Sequence, residues 1–458
     1  MKKLILAWIV GALALVANPA MAQQTTGTIT GRVLDAQGGA VPGATVTVAN
    51  PATGFTRTAV SDAEGIYRLS ALNVGRYDLT AELAGFNTVE RKDVVVNVGQ
   101  TLTIDVSLTV ATLAETITVT GQTPLIEASV SSVGGVVDIG RIETIPLNGR
   151  QFANLAATLP GVGLGNHSDP TKSTQYSPQI NGGNGRNVNY QIDGGDNNDD
   201  TVGGLLQLFP LEAIQEFNFV TSRAKAESGR SNGGVMNIVT KSGTNVLHGS
   251  AFELFRDDAM NATTHTEKVN NSDKGKYRRN QFGGSFGGPI VKDKIHYFGA
   301  VERTQQDTFQ IVNTKGLFPS EDGSFATPYR ETLLNVKGTA NLPNNFLSVR
   351  YGRNQNSQPY GAAANRAPSA WGQSENTFNS VNLNHNAVIG GSKLNELIVQ
   401  YADFSNGITA NSTEPYRLFP NGVAIGQSPN TPQSTQQKKW QFRDDFSWHV
   451  TGLGGIGH

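Results

Sequence analysis

Five consecutive residues carry the spacing of a hydrolase. Gly283-Gly284-Ser285-Phe286-Gly287 matches the Gly-x-Ser-x-Gly pattern, in which a sharp turn lifts a serine toward an activating base. Such a turn needs a strand before it and a helix after it. Here the alternation of a strand runs straight through, so Ser285 reads as a wall residue and no catalytic residue is assigned. Four carboxylates, Asp193, Asp196, Asp199 and Asp200, could gather calcium through oxygen ligands. Their spacing fits no standard calcium loop, so they read as a polar loop. The seven histidines are scattered, and none has His-Glu-x-x-His spacing. His385 and His449 fall inside strand patterns. The glycine-rich stretches join no strand to a helix in the manner of a phosphate cradle. Cysteine is absent, which removes disulfides and thiolate-bound metals. No metal and no cofactor is expected.

The elements that position these residues begin with an export signal. Lys2 and Lys3 precede an apolar run from Leu4 to Ala17, and Ala20-Met21-Ala22 offers small residues for cleavage. Residues 1–22 are therefore expected to be removed after Ala22. The run is short for a membrane helix, which takes about 20 apolar residues. No later stretch is apolar enough to cross as a helix, so any later crossing must use strands. Lys and Arg number 36 against 37 Asp and Glu, so the basic footprint of a nucleic-acid binder is missing. With 52 glycines, 38% hydrophobic residues and 16% charged ones, the composition suits strands with one wet and one greasy face.

Residues 23–110 read as short strands with plain turns. Leu102, Ile104, Val106 and Leu108 alternate with Thr103, Asp105 and Ser107, the period of a half-buried strand. About seven strands at this spacing imply a small β-sandwich. The run Gly31-Arg32-Val33, Val41-Pro42-Gly43-Ala44, Thr53-Gly54, Ser61-Asp62-Ala63-Glu64-Gly65-Ile66-Tyr67, Leu72-Asn73-Val74-Gly75-Arg76-Tyr77 and Ala84-Gly85-Phe86 resembles the carboxypeptidase regulatory-like domain. The resemblance implies a binding or spacer module with a carbohydrate-binding-like fold, not a peptidase.

Residues 111–121 form a polar junction. Within it Glu115-Thr116-Ile117-Thr118-Val119 resembles the TonB box of energised outer-membrane receptors. An extended segment of this kind can add as a strand to a partner's sheet edge. The same residues also read as the last strand of the sandwich or its linker. Residues 122–243 follow a different pattern. Arg141 to Leu147 leads to a short amphipathic helix, Gln151 to Leu159, stopped by Pro160-Gly161. A Gly/Asn/Asp-rich loop, Gly161 to Gly204, contains Tyr190-Gln191-Ile192-Asp193-Gly194-Gly195. Leu211 to Phe217 reads as a further helix, and Gly233-Gly234-Val235-Met236-Asn237-Ile238-Val239-Thr240-Lys241 closes the region. In that order these elements resemble the plug domain of TonB-dependent receptors.

Residues 244–458 alternate repeatedly. Leu334 and Val336 oppose Asn335 and Lys337. Leu347, Val349 and Tyr351 oppose Ser348 and Arg350. Trp440, Phe442, Phe446 and Trp448 oppose Lys439, Gln441, Arg443 and Asp445. Tight turns alternate with long polar loops, as in outer-membrane barrels. The block Arg279 to Pro289, followed by Lys292-Asp293-Lys294, is similar to the Oar-like TonB-dependent transporters. About eight strands are legible by alternation, against about 22 in a plugged barrel, so the chain reads as C-terminally truncated.

The expected fold is thus all-β dominated: an N-terminal β-sandwich, a small α+β plug and a partial antiparallel transmembrane β-barrel. The resemblance implies an outer-membrane receptor for energised uptake of a bulky solute such as a siderophore, glycan or peptide. Its partners would be a TonB energy-transducing complex and outer-membrane lipid. Tyr190, Asp193 and Asp196 are the expected solute contacts, because polar plug loops face the lumen. The alternative is a surface binding or adhesion protein that uses the sandwich.

Overall fold

The computed structural model describes residues 25–111, 116–119, 132–166, 176–180 and 182–448, with short gaps at 184, 225–227, 230, 232, 264, 270–273 and 391–392. The signal, its Ala22 cleavage site, Glu115, His449 and the stretch after it lie outside the described residues.

Two sheets face each other at the N-terminus. The strands are β1 (Gly27–Asp35), β2 (Thr45–Asn50), β3 (Phe55–Val60), β4 (Ile66–Leu72), β5 (Gly75–Glu82), β6 (Thr88–Val96), β7 (Thr101–Thr103), β8 (Val106–Leu108) and β9 (Thr116–Val119). One sheet runs β4-β1-β7, with β8 also on β1. The other runs β3-β2-β5-β6-β9. Each strand sends alternate residues inward. Val46 and Val48 of β2 meet Tyr77, Leu79 and Ala81 of β5 in one apolar core. The Tyr67 hydroxyl, deep in that core, donates to the Ile104 carbonyl at 2.6 Å.

The next unit is a mixed sheet with short helices. Its strands are β10 (Val133–Val137), β11 (Val162–Asn166), β12 (Tyr176–Ile180), β13 (Asn189–Ile192), β14 (Gly195–Asp196), β15 (Ile214–Ser222) and β16 (Val235–Thr240). The order β10-β15-β16-β13-β14 builds a five-stranded sheet, and β11 pairs β12 separately. Helix α1 (Ile139–Thr144) is capped by the Asp138 carboxylate, which accepts from the Arg141 N–H. Three expectations are corrected here. The helix expected over Gln151 to Leu159 is a 3-10 helix, Phe152–Thr158. Its buried Phe152 and Leu155 stand three apart, which suits three residues per turn, and Gln151 makes no side-chain cap. The helix expected over Leu211 to Phe217 is one 3-10 turn, Leu211–Ala213, followed by β15. Aromatic and β-branched Phe217, Phe219 and Val220 pair with both β10 and β16, and that pairing overrides the helix preference of Gln215 and Glu216. Last, the polar loop Gly161 to Gly204 contains four strands. β13 is tied in by parallel pairing to the distant β16, which local composition does not reveal.

The remaining strands are β17 (His248–Asp257), β18 (Tyr277–Val291), β19 (Ile295–Val312), β20 (Gly323–Ala326), β21 (Tyr329–Leu342), β22 (Asn345–Tyr360), β23 (Gly372–Ile389), β24 (Lys393–Ala410), β25 (Arg417–Leu418), β26 (Ala424–Ile425) and β27 (Gln433–Trp448). Eight of them run antiparallel in the order β17-β18-β19-β21-β22-β23-β24-β27, a curved wall around the mixed-sheet unit. Burial is inverted relative to a water-soluble sheet. Asn335, Lys337, Arg350, Asn382 and Gln400 are buried, while Phe286, Val381, Trp440 and Phe442 are exposed. Polar-inside and apolar-outside alternation is what a strand needs when lipid covers its outer face.

The sandwich sits against the short-turn end of this wall. Asn341 Nδ2 donates to the Thr53 carbonyl at 3.0 Å, and the Asn245 N–H donates to the Ala52 carbonyl at 2.7 Å. Phe346 of β22 packs into the sandwich core. The Val98 N–H donates to Glu216 of the mixed sheet, and Asn218 Nδ2 donates to the Val98 carbonyl.

Candidate functional site

Antiparallel register lines the inner wall in rows. One row reads Phe298, Lys337, Arg350, Asn382, Gln400 and Gln441 across six strands. The next, toward the long loops, reads Ala300, Asn335, Gly352, Ser380, Ala402 and Lys439. The turn Ile192-Asp193-Gly194-Gly195-Asp196, between β13 and β14, presses against these rows. Asp193 has a left-handed φ of 47° and Gly194 one of 73°. The positive φ favours glycine at 194, and a Cβ there would stand 2.5 Å from Ile398 Cδ1, whose side chain would have to give way.

Asp193 is the centre of the contact. Thr240 donates to it from its N–H at 3.0 Å and its hydroxyl at 2.7 Å. Lys337 Nζ lies 3.1 Å from one carboxylate oxygen, and Arg350 Nε lies 2.9 Å from the other. The Arg350 contact is an ion pair rather than an aligned hydrogen bond, because its N–H points off the line. The guanidinium also stacks on Phe209, 4.8 Å from the ring centre. Burial pushes the Asp193 carboxyl up. Lys337, Arg350 and the two Thr240 donors outweigh that and hold it below the usual carboxylate range. The turn's backbone is held as well: Asn384 Nδ2 donates to the Asp193 carbonyl at 3.0 Å, and Gln400 Nε2 to the Asp196 carbonyl at 2.7 Å.

A second contact lies one row away. Lys439 Nζ is 2.9 Å from Asp196 Oδ2 and 2.6 Å from Asp200 Oδ2. A third joins Arg150 to Glu212 at 3.0 Å and to Glu302 of β19 at 3.3 Å, with Gln281 donating to the same Glu302. Two cavities flank the first contact. The smaller, about 20 Å³, touches Asp196, Gln207, Arg350 and Lys439. The larger, about 490 Å³, lies on the sandwich side and touches Asp193, Lys337, His296, Asn341 and Phe346.

These positions correct part of the sequence reading. Tyr190 is fully buried in the apolar core of the mixed sheet, where its hydroxyl donates to the Gly185 carbonyl at 3.3 Å. A solute in the lumen cannot reach it, because β13 is a central strand of that sheet rather than a loop. Asp193 is 2% exposed, and its carboxylate is already occupied by wall cations. Asp196 remains half-buried at the cavity edge. Ser285 lies mid-strand in β18, hydrogen-bonded to the Ser250 hydroxyl at 2.9 Å. The Thr116–Val119 strand pairs in parallel with β6, Thr88 opposite Thr116 and Arg91 opposite Val119. Lys337, Arg350 and Lys439 were legible only as the polar phase of their strands. A charge buried in the inward phase of a membrane wall is itself a functional signal.

The model described as an outer membrane beta barrel domain matches residues 239–341, and the carboxypeptidase regulatory-like domain matches residues 28–109. The TonB-dependent transporter Oar of Myxococcus xanthus is 32% identical over 304 residues, which is 63% of this chain and 28% of Oar. The chain is a homologue of the TonB-dependent transporter Oar. The ferrienterobactin receptor of Escherichia coli K12 is 28% identical over 39% of the chain and 24% of that receptor. The chain thus spans about a quarter of the length of the curated relatives it matches. Two solved structures share the fold. The outer membrane transporter YddB of Escherichia coli aligns with a TM-score of 0.55 at 14% identity, covering 71% of this chain and 46% of YddB. The siderophore receptor PirA of Acinetobacter baumannii aligns with a TM-score of 0.50 at 17% identity, with the same coverage. In this Oar homologue the curved wall takes in the matched barrel residues, and the turn at Asp193 joins it to the mixed sheet, the plug-like unit. The relatives are transporters and receptors, not enzymes.

Proposed function

We propose that the chain serves energised uptake of a bulky solute across the outer membrane, after export and cleavage behind Ala22. The observation that carries this reading is how the plug is held. Its apolar core contains no wall residue, one small apolar cluster joins Ala213 to Phe298 and Ala300 of the wall, and its other ties to the wall are chiefly ion pairs and amide hydrogen bonds. Each neutral contact of this kind nets about 0.5–1.5 kcal/mol, because water or a polar solute can replace it, whereas the buried Asp193 pairs cost more to break unless another anion takes the carboxylate's place. A plug held so can be shifted by a pull without breaking its own core. The pull would come from a TonB-type complex acting on residues 115–119. Within that segment Thr116–Val119 is already extended, and β9 stands at the end of its sheet order, so strand addition is open to it. Asp196, at the edge of the smaller cavity, is the candidate solute contact that keeps access to the lumen side. The ferrienterobactin and PirA relatives make a siderophore one candidate solute; a glycan or peptide fits the same amide-rich lumen.

Ile117→Pro tests the coupling. Proline removes a backbone donor and fixes φ, so strand addition at this segment should fail. The purified chain should bind the periplasmic C-terminal domain of the cell's own TonB protein, and the Ile117→Pro chain should not. Equal binding by both would move the coupling segment elsewhere. No binding by the unsubstituted chain would refute the energised reading and favour a surface-binding role for the sandwich.

A further inference from the structure

Register sets Lys337 directly opposite Arg350 on neighbouring strands, both pointing inward. Like charges facing across a strand pair repel. Here the two are 6% and 2% exposed, so water screens them little. Holding two buried cations side by side is costly unless an anion lies between them. The wall does not supply it. Neither the Lys337 row nor the Lys439 row contains a carboxylate. The anions come from the plug: Asp193 for Lys337 and Arg350, and Asp196 with Asp200 for Lys439. When the plug turn moves, the wall keeps three cations and loses their partners.

We propose that Lys337, Arg350 and Lys439 form a binding strip for an anionic solute, and that Asp193, Asp196 and Asp200 occupy it while the plug is seated. This rests on the transport reading and adds the chemical class of the cargo: a solute carrying carboxylate or phosphate-like oxygens. Two further observations fit. Open space lies beside Lys337, in the cavity of about 490 Å³, while the cavity touching Arg350 and Lys439, about 20 Å³ and also lined by Asp403, has room for about one water. Beside the cations, both carboxamide atoms of Asn335 and the side-chain oxygens of Asn382 and Asn384 have no hydrogen-bond partner within the protein. Of these, Asn335 Nδ2 can donate to an anionic oxygen, while the three amide oxygens accept only and suit hydroxyl groups of the same solute. The plug carboxylates therefore act as a built-in substitute for the cargo. They keep the wall neutral at rest and make departure of the plug turn cost least when an anion is ready to replace it.

The test is binding, so it needs neither energised cells nor a known cargo. The full chain in detergent is compared with Asp193→Asn, using citrate as the probe, its neutral trimethyl ester as control, and chloride to match ionic strength. The Asp193→Asn chain should bind citrate at least about tenfold more tightly than the unsubstituted chain by calorimetry, and should ignore the ester. Adding Lys337→Met and Arg350→Met should abolish that gain. Pyrophosphate in place of citrate reports whether phosphate oxygens serve as well as carboxylates; binding of either supports the strip. Should Asp193→Asn fail to fold in chloride, the expected result is recovery of its β-sheet circular dichroism in citrate alone. The proposal is overturned if Asp193→Asn behaves alike in citrate and chloride, folded or unfolded. It is equally overturned if the triple variant binds citrate as the single variant does. Loss of TonB binding in the Ile117→Pro comparison affects neither outcome, so the two readings fail separately.

Discussion

Replacing Glu216 by Gln should stabilise the chain above neutral pH and leave it unchanged in acid. Glu216 lies on β15 where the sandwich meets the plug, and it is 3% exposed. Burial pushes its carboxyl up to about 7 from an ordinary 4.5; the Val98 N–H opposes the shift, and the nearby Asp138 charge adds to it. The folded chain therefore holds this proton more tightly than the unfolded chain. Its contribution to stability is fully present below about pH 4.5 and is lost as pH rises through about 7. The difference between 4.5 and about 7 corresponds to about 3 kcal/mol at pH 8, from 1.36 kcal/mol for each tenfold step. Glutamine keeps an oxygen to accept from Val98 and carries no charge to desolvate. Thermal unfolding in detergent micelles, run from pH 4.5 to 8, reads the effect as the difference between Glu216→Gln and the unsubstituted chain. That difference should be near zero at pH 4.5 and grow to as much as about 3 kcal/mol in favour of Gln at pH 8. A Gln variant less stable at pH 8, or a difference that does not change with pH, would refute the reasoning. The prediction also bears on function, because ionising Glu216 weakens the join between sandwich and plug in the range where cells live.

Two further outcomes follow from the geometry. Gly243→Ala puts a Cβ 2.2 Å from the Tyr297 carbonyl and 2.8 Å from that of Gly288, both backbone atoms, where the chain leaves the plug for the wall. It should cost about 1–3 kcal/mol of thermal stability, and an unchanged melting temperature would mean the chain passes that point differently. Val381→Lys places a charge mid-strand on the outer face of β23 and should cost about 2–4 kcal/mol in vesicle-folding titrations with urea. Asn376→Lys, on the same strand but facing inward between Asn356 and Asn406, should escape the lipid penalty, so equal losses for the pair would argue against a lipid-facing Val381.

Much of this architecture was legible without coordinates because strand alternation is local. The parity of Val381 against Asn382, or of Trp440 against Lys439, already separates a greasy from a wet face. The turn residues between them mark where each strand ends. The sandwich was legible for the same reason, with turns such as Asp62-Ala63-Glu64-Gly65 spaced between alternating runs. Composition also excluded thiolate chemistry outright. What local pattern could not tell was which elements would pair at a distance. Ile214-Gln215-Glu216-Phe217 looks helical by itself and becomes a strand because β10 and β16 bracket it. Tyr190 looks like a loop residue and is core because β13 pairs with β16. Asp193 looks like a solute ligand among other acidic residues. Only the tertiary structure sets it against Lys337 and Arg350, far along the chain, at one level of the wall. Period and polarity are written residue by residue, whereas register between distant strands depends on the burial of the whole assembly. It is that register which turns three ordinary inward cations into a strip that needs an anion.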